Sequence, residues 1–208
     1  MRRRRSPAGR VGCAVALLAA AALTSTTAAA VAATGCRPHA DAQVRFDDGR
    51  LLVEAAEREV DPRNVRERWW SCWRPNGRRT LIEDRRHLDG RDETSLLAVR
   101  RGRFVVLAGP GALDVHDARR GRRTARVDHV GVVRELVVTA AGRVAVTQDE
   151  GSSRRVLLAG SGRRSCLLDA AVPDLPEGPL GDLFVRKEQL GWFNHGVRMG
   201  EDLTSLRC

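Results

Sequence analysis

Tyrosine is missing from this sequence, lysine occurs once, at Lys187, and phenylalanine and tryptophan occur four times each. Any core must therefore be built mainly from Val, Leu and Ala. No apolar run reaches the ~20 residues that a membrane-spanning helix needs. None of the cysteines forms a C-x-x-C and the five histidines are scattered, so the sequence offers no zinc ligand set. There is no G-x-S-x-G elbow; "AGSGR" at 159–163 has the wrong spacing and places Ser161 in a turn. "GPG" at 109–111 is not followed by Lys-Ser/Thr, which removes a phosphate loop and leaves a strand connection. These absences rank catalysis last among the functions considered, and no cofactor is expected.

What is present begins with a leader. Arg2 to Arg5 and Arg10 precede a mostly apolar run from Val11 to Leu23 and the small-residue stretch "TSTTAAAVAATG". A basic head, a dozen or so apolar residues and an A-x-A-like site read as a secretory signal peptide over 1–33, cut after "VAA" or "AVA". A short N-terminal segment, 34–43, would precede one domain over 44–208. The alternative is a lipoprotein anchored through Cys36, because "ATGC" also places small residues before a cysteine. Cleavage leaves Cys36, Cys72, Cys166 and Cys208, enough for two disulfides with three pairings. The preferred pairing joins Cys36 to Cys208 across the termini and Cys72 to Cys166 inside.

The formal charge of +10 includes the five leader arginines; without them 31 basic residues face 26 acidic ones, a balance of +5. Arginine and acid are interspersed, as in "EREVDPRNVRER" at 57–68. Such mixing describes a solvated face, so no nucleic acid partner is expected. The near-exclusive use of arginine reflects codon preference more than a selected basic surface.

One turn and strand recur three times: "GRRTLIED" at 77–84, "GRRTARVD" at 121–128 and "GRRSCLLD" at 162–169. Before the last two stand the hairpins "LLAVRRGRFVVLA" at 96–108 and "LVVTAAGRVAVTQ" at 136–148. The same shape occurs as "VRFDDGRLLVEA" at 44–55 and, without the turn glycine, as "LFVRKEQLGWFNH" at 183–195. Val53, Val106, Val146 and Trp192 then occupy equivalent places. Leu81, Ala125 and Cys166 align in the final strands, and Asp84, Asp128 and Asp169 close each unit, where an Asp can bond turn amides. The only candidate helix, 54–68, is interrupted by Pro62.

Each unit therefore reads as strand, Gly turn, strand, connection, strand, "GRR" turn, strand. About four strands per 40 residues fit one blade of a β-propeller. The expected fold is all-β: a small propeller-like array of about three and a half to four four-stranded units, with a β-sandwich or an open propeller fragment as alternatives. The N-terminal segment would complete the last unit, stapled by Cys36–Cys208. "VHDARRGR" at 115–122 resembles the end of a WD-type repeat, with Val115, Asp117, Gly121 and Arg122 in place and His116 where the Trp stands. Over 44–199 the chain resembles a group of secreted, functionally uncharacterised proteins of high-GC Gram-positive bacteria, on "CWRPNGRR" at 72–79 and "LGWFNHG" at 190–196. That resemblance implies export and a repeat fold and brings no activity.

Two local features could carry function. In "RERWWSCWRPN" at 66–76, alternation puts Trp69, Ser71 and Trp73 on one face and Trp70 with Cys72 on the other. Trp69 and Trp73 with Arg66, Arg68 and Arg74 form a candidate stacking surface; the competing reading buries the rings between units. In "LDVHDARR" at 113–120, Asp114 and His116 share a strand face while Asp117 caps a loop. The metal or acid–base reading of that pair ranks below a solvent-facing strand. The functional expectation is a secreted, non-catalytic binding module, cell-wall associated, whose partner is a wall polymer or an unknown protein. The alternatives are an assembly subunit completed by a partner chain, and, last, an uncharacterised hydrolase.

Overall fold

The computed structural model describes residues 36–88, 94–128, 131–160, 165–171 and 180–206. The leader, Ser161, the third "GRR" turn and Cys208 lie outside the described residues. The described chain is all-β, with one 3-10 turn at Arg74–Asn76 and otherwise strands and turns.

Four antiparallel sheets follow one another along the chain. The first holds β1 (Gln43–Asp47), β2 (Leu51–Asp61), β3 (Asn64–Trp73) and β4 (Arg78–Leu88). The second holds β5 (Ser95–Arg100), β6 (Phe104–Gly109), β7 (Ala112–Asp117) and β8 (Arg122–Asp128). The third holds β9 (Val132–Val138), β10 (Val144–Glu150), β11 (Ser153–Ala159) and β12 (Cys166–Ala171). The fourth has three strands, β13 (Gly181–Arg186), β14 (Gln189–Asn194) and β15 (Val197–Asp202). Within each sheet spatial order follows chain order.

The second strand of every sheet carries a buried apolar run, and β6 and β10 have a neighbouring sheet on each face. Val53, Val106, Val146 and Trp192 all lie there and all are buried. Their parity sorts the core. Leu51, Val53 and Ala55 of β2 pack with Val105 and Leu107 of β6. Phe104 and Val106 of β6 pack with Val144 and Val146 of β10. Ala145 of β10 packs with Leu190 and Trp192 of β14. An apolar residue at every position, not alternation, is what burial on two faces demands.

Turn chemistry explains the hairpins. Gly49 and Gly142 adopt φ of 82° and 84°, where a Cβ is disfavoured. In the fourth sheet Lys187 takes the left-handed position instead, at φ 55°. Asp117 caps the loop after β7, accepting the Arg120 amide at 3.2 Å. The charged run 54–68 is a long hairpin rather than a helix: Pro62 and Arg63 form its turn, and Asp61 accepts the Arg63 amide at 3.0 Å.

Several expectations are corrected. Cys36 is disulfide-bonded to Cys72, so neither Cys36–Cys208 nor Cys72–Cys166 forms. A Cys36 sulfur held in that bond cannot carry a thioether lipid, and the N-terminal segment is tied to the first sheet instead of completing the last. Cys166 is disulfide-bonded as well. The final unit is not a lone hairpin, since β15 adds a third strand. The closing aspartates bond side chains, and only Asp169 also accepts a backbone amide, that of Ala170 at 2.8 Å, among the described residues. Asp84 meets Arg66, Asp128 meets Arg126, and Asp169 accepts the Trp192 indole at 2.7 Å. Finally, Leu81 does not match Ala125. A bulge at Ile82 shifts the phase of β4, leaving Leu81 48% exposed and Ile82 buried.

Candidate functional site

The long hairpin of β2 and β3, flanked by β4, carries the most distinctive surface. Arg58 of β2 stands directly opposite Arg66 of β3, which stands directly opposite Arg86 of β4. Strands lie about 4.8 Å apart, so three guanidinium groups leave the sheet in one row. Like charges in direct cross-strand register repel. Asp84 pairs with the middle arginine, Arg66, through two hydrogen bonds of 2.8 Å and reaches Arg68 at 3.4 Å. The Arg66 guanidinium holds Asp84 below the usual carboxylate range. Among the described residues neither Arg58 nor Arg86 has a carboxylate within salt-bridge distance.

Two positions from Arg68 along the same face of β3 stands Trp70, half-buried. Arg58, Arg66, Arg68, Arg86 and Trp70 line an open cleft of about 290 Å³ together with Glu59, and Asp41 borders it from the N-terminal wall. That wall is built by the N-terminal segment. The Cys36–Cys72 bond anchors it, the Glu54 carboxyl accepts the His39 amide at 3.0 Å, and Arg79 reaches Glu54 at 3.0 Å. The Arg79 guanidinium also bonds the Arg37 carbonyl. The His39 ring then lies against Trp70, centroids 4.5 Å apart, covering part of the indole and leaving the rest to the cleft.

The other tryptophans of the cluster face inward. Trp69 and Trp73 are 2% and 8% exposed and belong to the core shared with the second sheet. They cannot form the stacking surface expected of them. The Trp69 indole donates to the buried Glu67 carboxyl at 2.7 Å, and the same carboxyl accepts the Thr94 amide at 3.0 Å and Arg85 at 3.3 Å. Arg45 and Arg50 lie over the rings of Trp69 and Trp73. Arg74 is outside the cleft as well, held at the first hairpin by two bonds of 2.6 Å to Asp47.

Of the five expected contact residues, the cleft therefore contains Arg66 and Arg68. Trp70, Arg58 and Arg86 were missed. The signal for Trp70 was its parity, since Arg66, Arg68 and Trp70 are successive even positions of one strand. Arg58 and Arg86 come from strands whose register the sequence alone does not set.

The Asp114 and His116 pair is not solvent-facing; β7 is buried along its length. The Asp114 carboxylate bonds Arg123 at 3.2 Å and Arg126 at 3.1 Å. Burial pushes its carboxyl up, while Arg126 and Arg123 pull it down. Burial, aided by Arg123, drives His116 down to about 4. No hydrogen bond joins the two side chains among the described residues, and His116 Nε2 has no hydrogen-bond partner. At neutral pH His116 is thus an uncharged ring beside an arginine-bridged carboxyl group, not an acid–base pair.

No helix among the described residues is long and apolar enough to cross a membrane. Comparison with models of protein families finds no match, and comparison with curated proteins finds none either.

Proposed function

We propose that the protein is an exported, non-catalytic binding module that takes an anionic polymer of the cell wall in the cleft between Trp70 and the Arg58–Arg66–Arg86 row. In this reading the four sheets are blades of a small propeller-like array, of the kind carried by the secreted proteins its repeat resembles. The observation that carries the proposal is the cross-strand arginine row. Three cations aligned at strand spacing, only the middle one bonded to Asp84, raise the energy of the empty site, and a bound anion relieves that repulsion. Trp70 offers an apolar edge beside them for a sugar ring. The Cys36–Cys72 bond supports an oxidising compartment.

The test is co-sedimentation with isolated bacterial cell walls over a salt series. Specific binding persists at ~0.5 M salt, where exposed charge attraction is largely screened. Arg58→Ser and Arg86→Ser each weaken it about tenfold or more, as loss of a charge-assisted contact does. Trp70→Ala abolishes the salt-resistant part, and Arg74→Ser, outside the cleft, leaves binding unchanged. Binding that disappears with salt, or that responds equally to Arg74→Ser, overturns the proposal.

A further inference from the structure

Among the described residues the fourth sheet has one strand fewer than the others. In the first three sheets the third strand, β3, β7 or β11, is covered by a fourth; in the last, the third strand β15 is the edge, and all six of its residues are exposed. The edges β4, β8 and β12 each carry a bulge, at the Trp69/Trp70, Val115/His116 and Val156/Leu157 register shifts. β15 has none: its pairing with β14 runs unbroken from Asn194↔Val197 to Gln189↔Asp202. It also lacks proline. A straight, bulge-free edge is the form that accepts another strand.

The direction of its free groups can be worked out. Leu203 N–H donates to the Glu188 carbonyl at 2.7 Å, so odd positions of β15 turn their backbone groups toward β14. Arg198, Gly200 and Asp202 turn theirs outward. Outward groups of one antiparallel partner must meet outward groups of the other, which limits the register. Centred on Gly200, self-pairing puts Gly200 opposite Gly200 on the two-fold axis and Arg198 opposite Asp202 twice. Opposite charges in direct cross-strand register stabilise a pair, and the axis falls where no side chain crowds it. Both charges are held in place: Arg198 lies over the Phe184 ring, 5.0 Å from its centroid, and Asp202 Oδ1 accepts the Thr204 amide at 2.8 Å.

We propose that β15 is a self-pairing edge through which two copies of the chain join their last sheets into one antiparallel sheet across a two-fold axis. The occupant is a second copy because the edge is complementary to itself in the register its free groups allow. This inference is independent of the cleft and its ligand.

Light scattering and amide hydrogen exchange on the wild-type chain, from ~1 to ~100 µM, test it, a range suited to an association of small area. A dimer forms toward the upper end. The amides of Arg198, Gly200 and Asp202 then exchange about tenfold more slowly, while those of Val197, Met199 and Glu201 do not change with concentration. Arg198→Glu, an exposed change, and Gly200→Pro, which removes an outward N–H, each weaken the dimer tenfold or more. A monomer at every concentration overturns the proposal. So does a dimer whose outward amides are unaffected, or one indifferent to Arg198→Glu. Outward amides already slow in the monomer would mean that the chain covers its own edge, and would overturn it too.

Discussion

Adjacent residues in "RERWWSCW" have opposite fates because a strand changes face at every step. Trp69 fills the core and donates to buried Glu67, whereas Trp70 borders the cleft. Trp69→Ala should cost about 4 kcal/mol, combining a large cavity with a carboxyl deprived of its donor. Trp70→Ala should cost about 1 kcal/mol and remove the salt-resistant binding. Urea unfolding of the two variants reads the difference directly; equal costs would contradict the assignment of faces. His116 makes a second residue-scale prediction. Its folded value of about 4 lies below the unfolded 6.5, so the unfolded chain binds the extra proton between those values. The stability it contributes is complete above pH 6.5 and is lost as pH falls toward 4, by about 3 kcal/mol. Glu83 and Asp114, both raised first by burial, act in the opposite sense, favouring the fold at lower pH. Comparing wild type with His116→Gln at pH 7 and pH 4 isolates the histidine: the stability gap between them should change by that amount.

Strands and turns were legible wherever burial imposes a pattern. The runs "FVVLA" and "VAVT", each introduced by a glycine turn, identify β6 and β10, and their equivalence with β2 and β14 holds in the structure. What escaped was whatever burial does not constrain. β15 reads "VRMGED" with no apolar alternation, because neither of its faces is covered. The bulge of each final strand is equally silent in sequence and reverses the parity behind it, which is why Leu81 and Ala125 differ. The cleft was half legible: β3 alone holds Arg66, Arg68 and Trp70, but bringing Arg58 and Arg86 beside them requires two strand registers. Among the turns, Gly142 is a position that packing as well as conformation reserves for glycine. A Cβ there would stand 2.7 Å from the Phe104 ring and 2.8 Å from Thr124 Oγ1, at φ +84°. Gly151, at φ +58°, has open space around it. Gly142→Ala should therefore cost about 3 kcal/mol and Gly151→Ala about 1 kcal/mol in thermal or urea unfolding.

Across the molecule, one covalent bond ties the chain's early residues to the first sheet. Cys36 and Cys72 are 36 positions apart, and closing a loop of that size stabilises a fold by about 4 kcal/mol in the chain-entropy account. Replacing both cysteines with serine should lower stability by roughly that amount and release the wall that carries Asp41 and His39, weakening polymer binding with every cleft arginine intact. Non-reducing peptide mapping should recover the Cys36–Cys72 peptide. A Cys36–Cys208 peptide would contradict the structure.

The strictly sequential order of strands has a consequence for how the chain is made. Within each sheet every strand pairs with its predecessor, and three core clusters each join one sheet to the next. A polypeptide emerging amino end first can thus finish each sheet from residues already present and lay the following one upon it, with no strand held in waiting for a distant mate. A chain halted after Ala171 would carry three finished sheets and an uncovered apolar face on the third, where Ala145, Val156 and Leu158 await Leu190 and Trp192. The fourth sheet, through Leu190 and Trp192 of β14, is what closes that face.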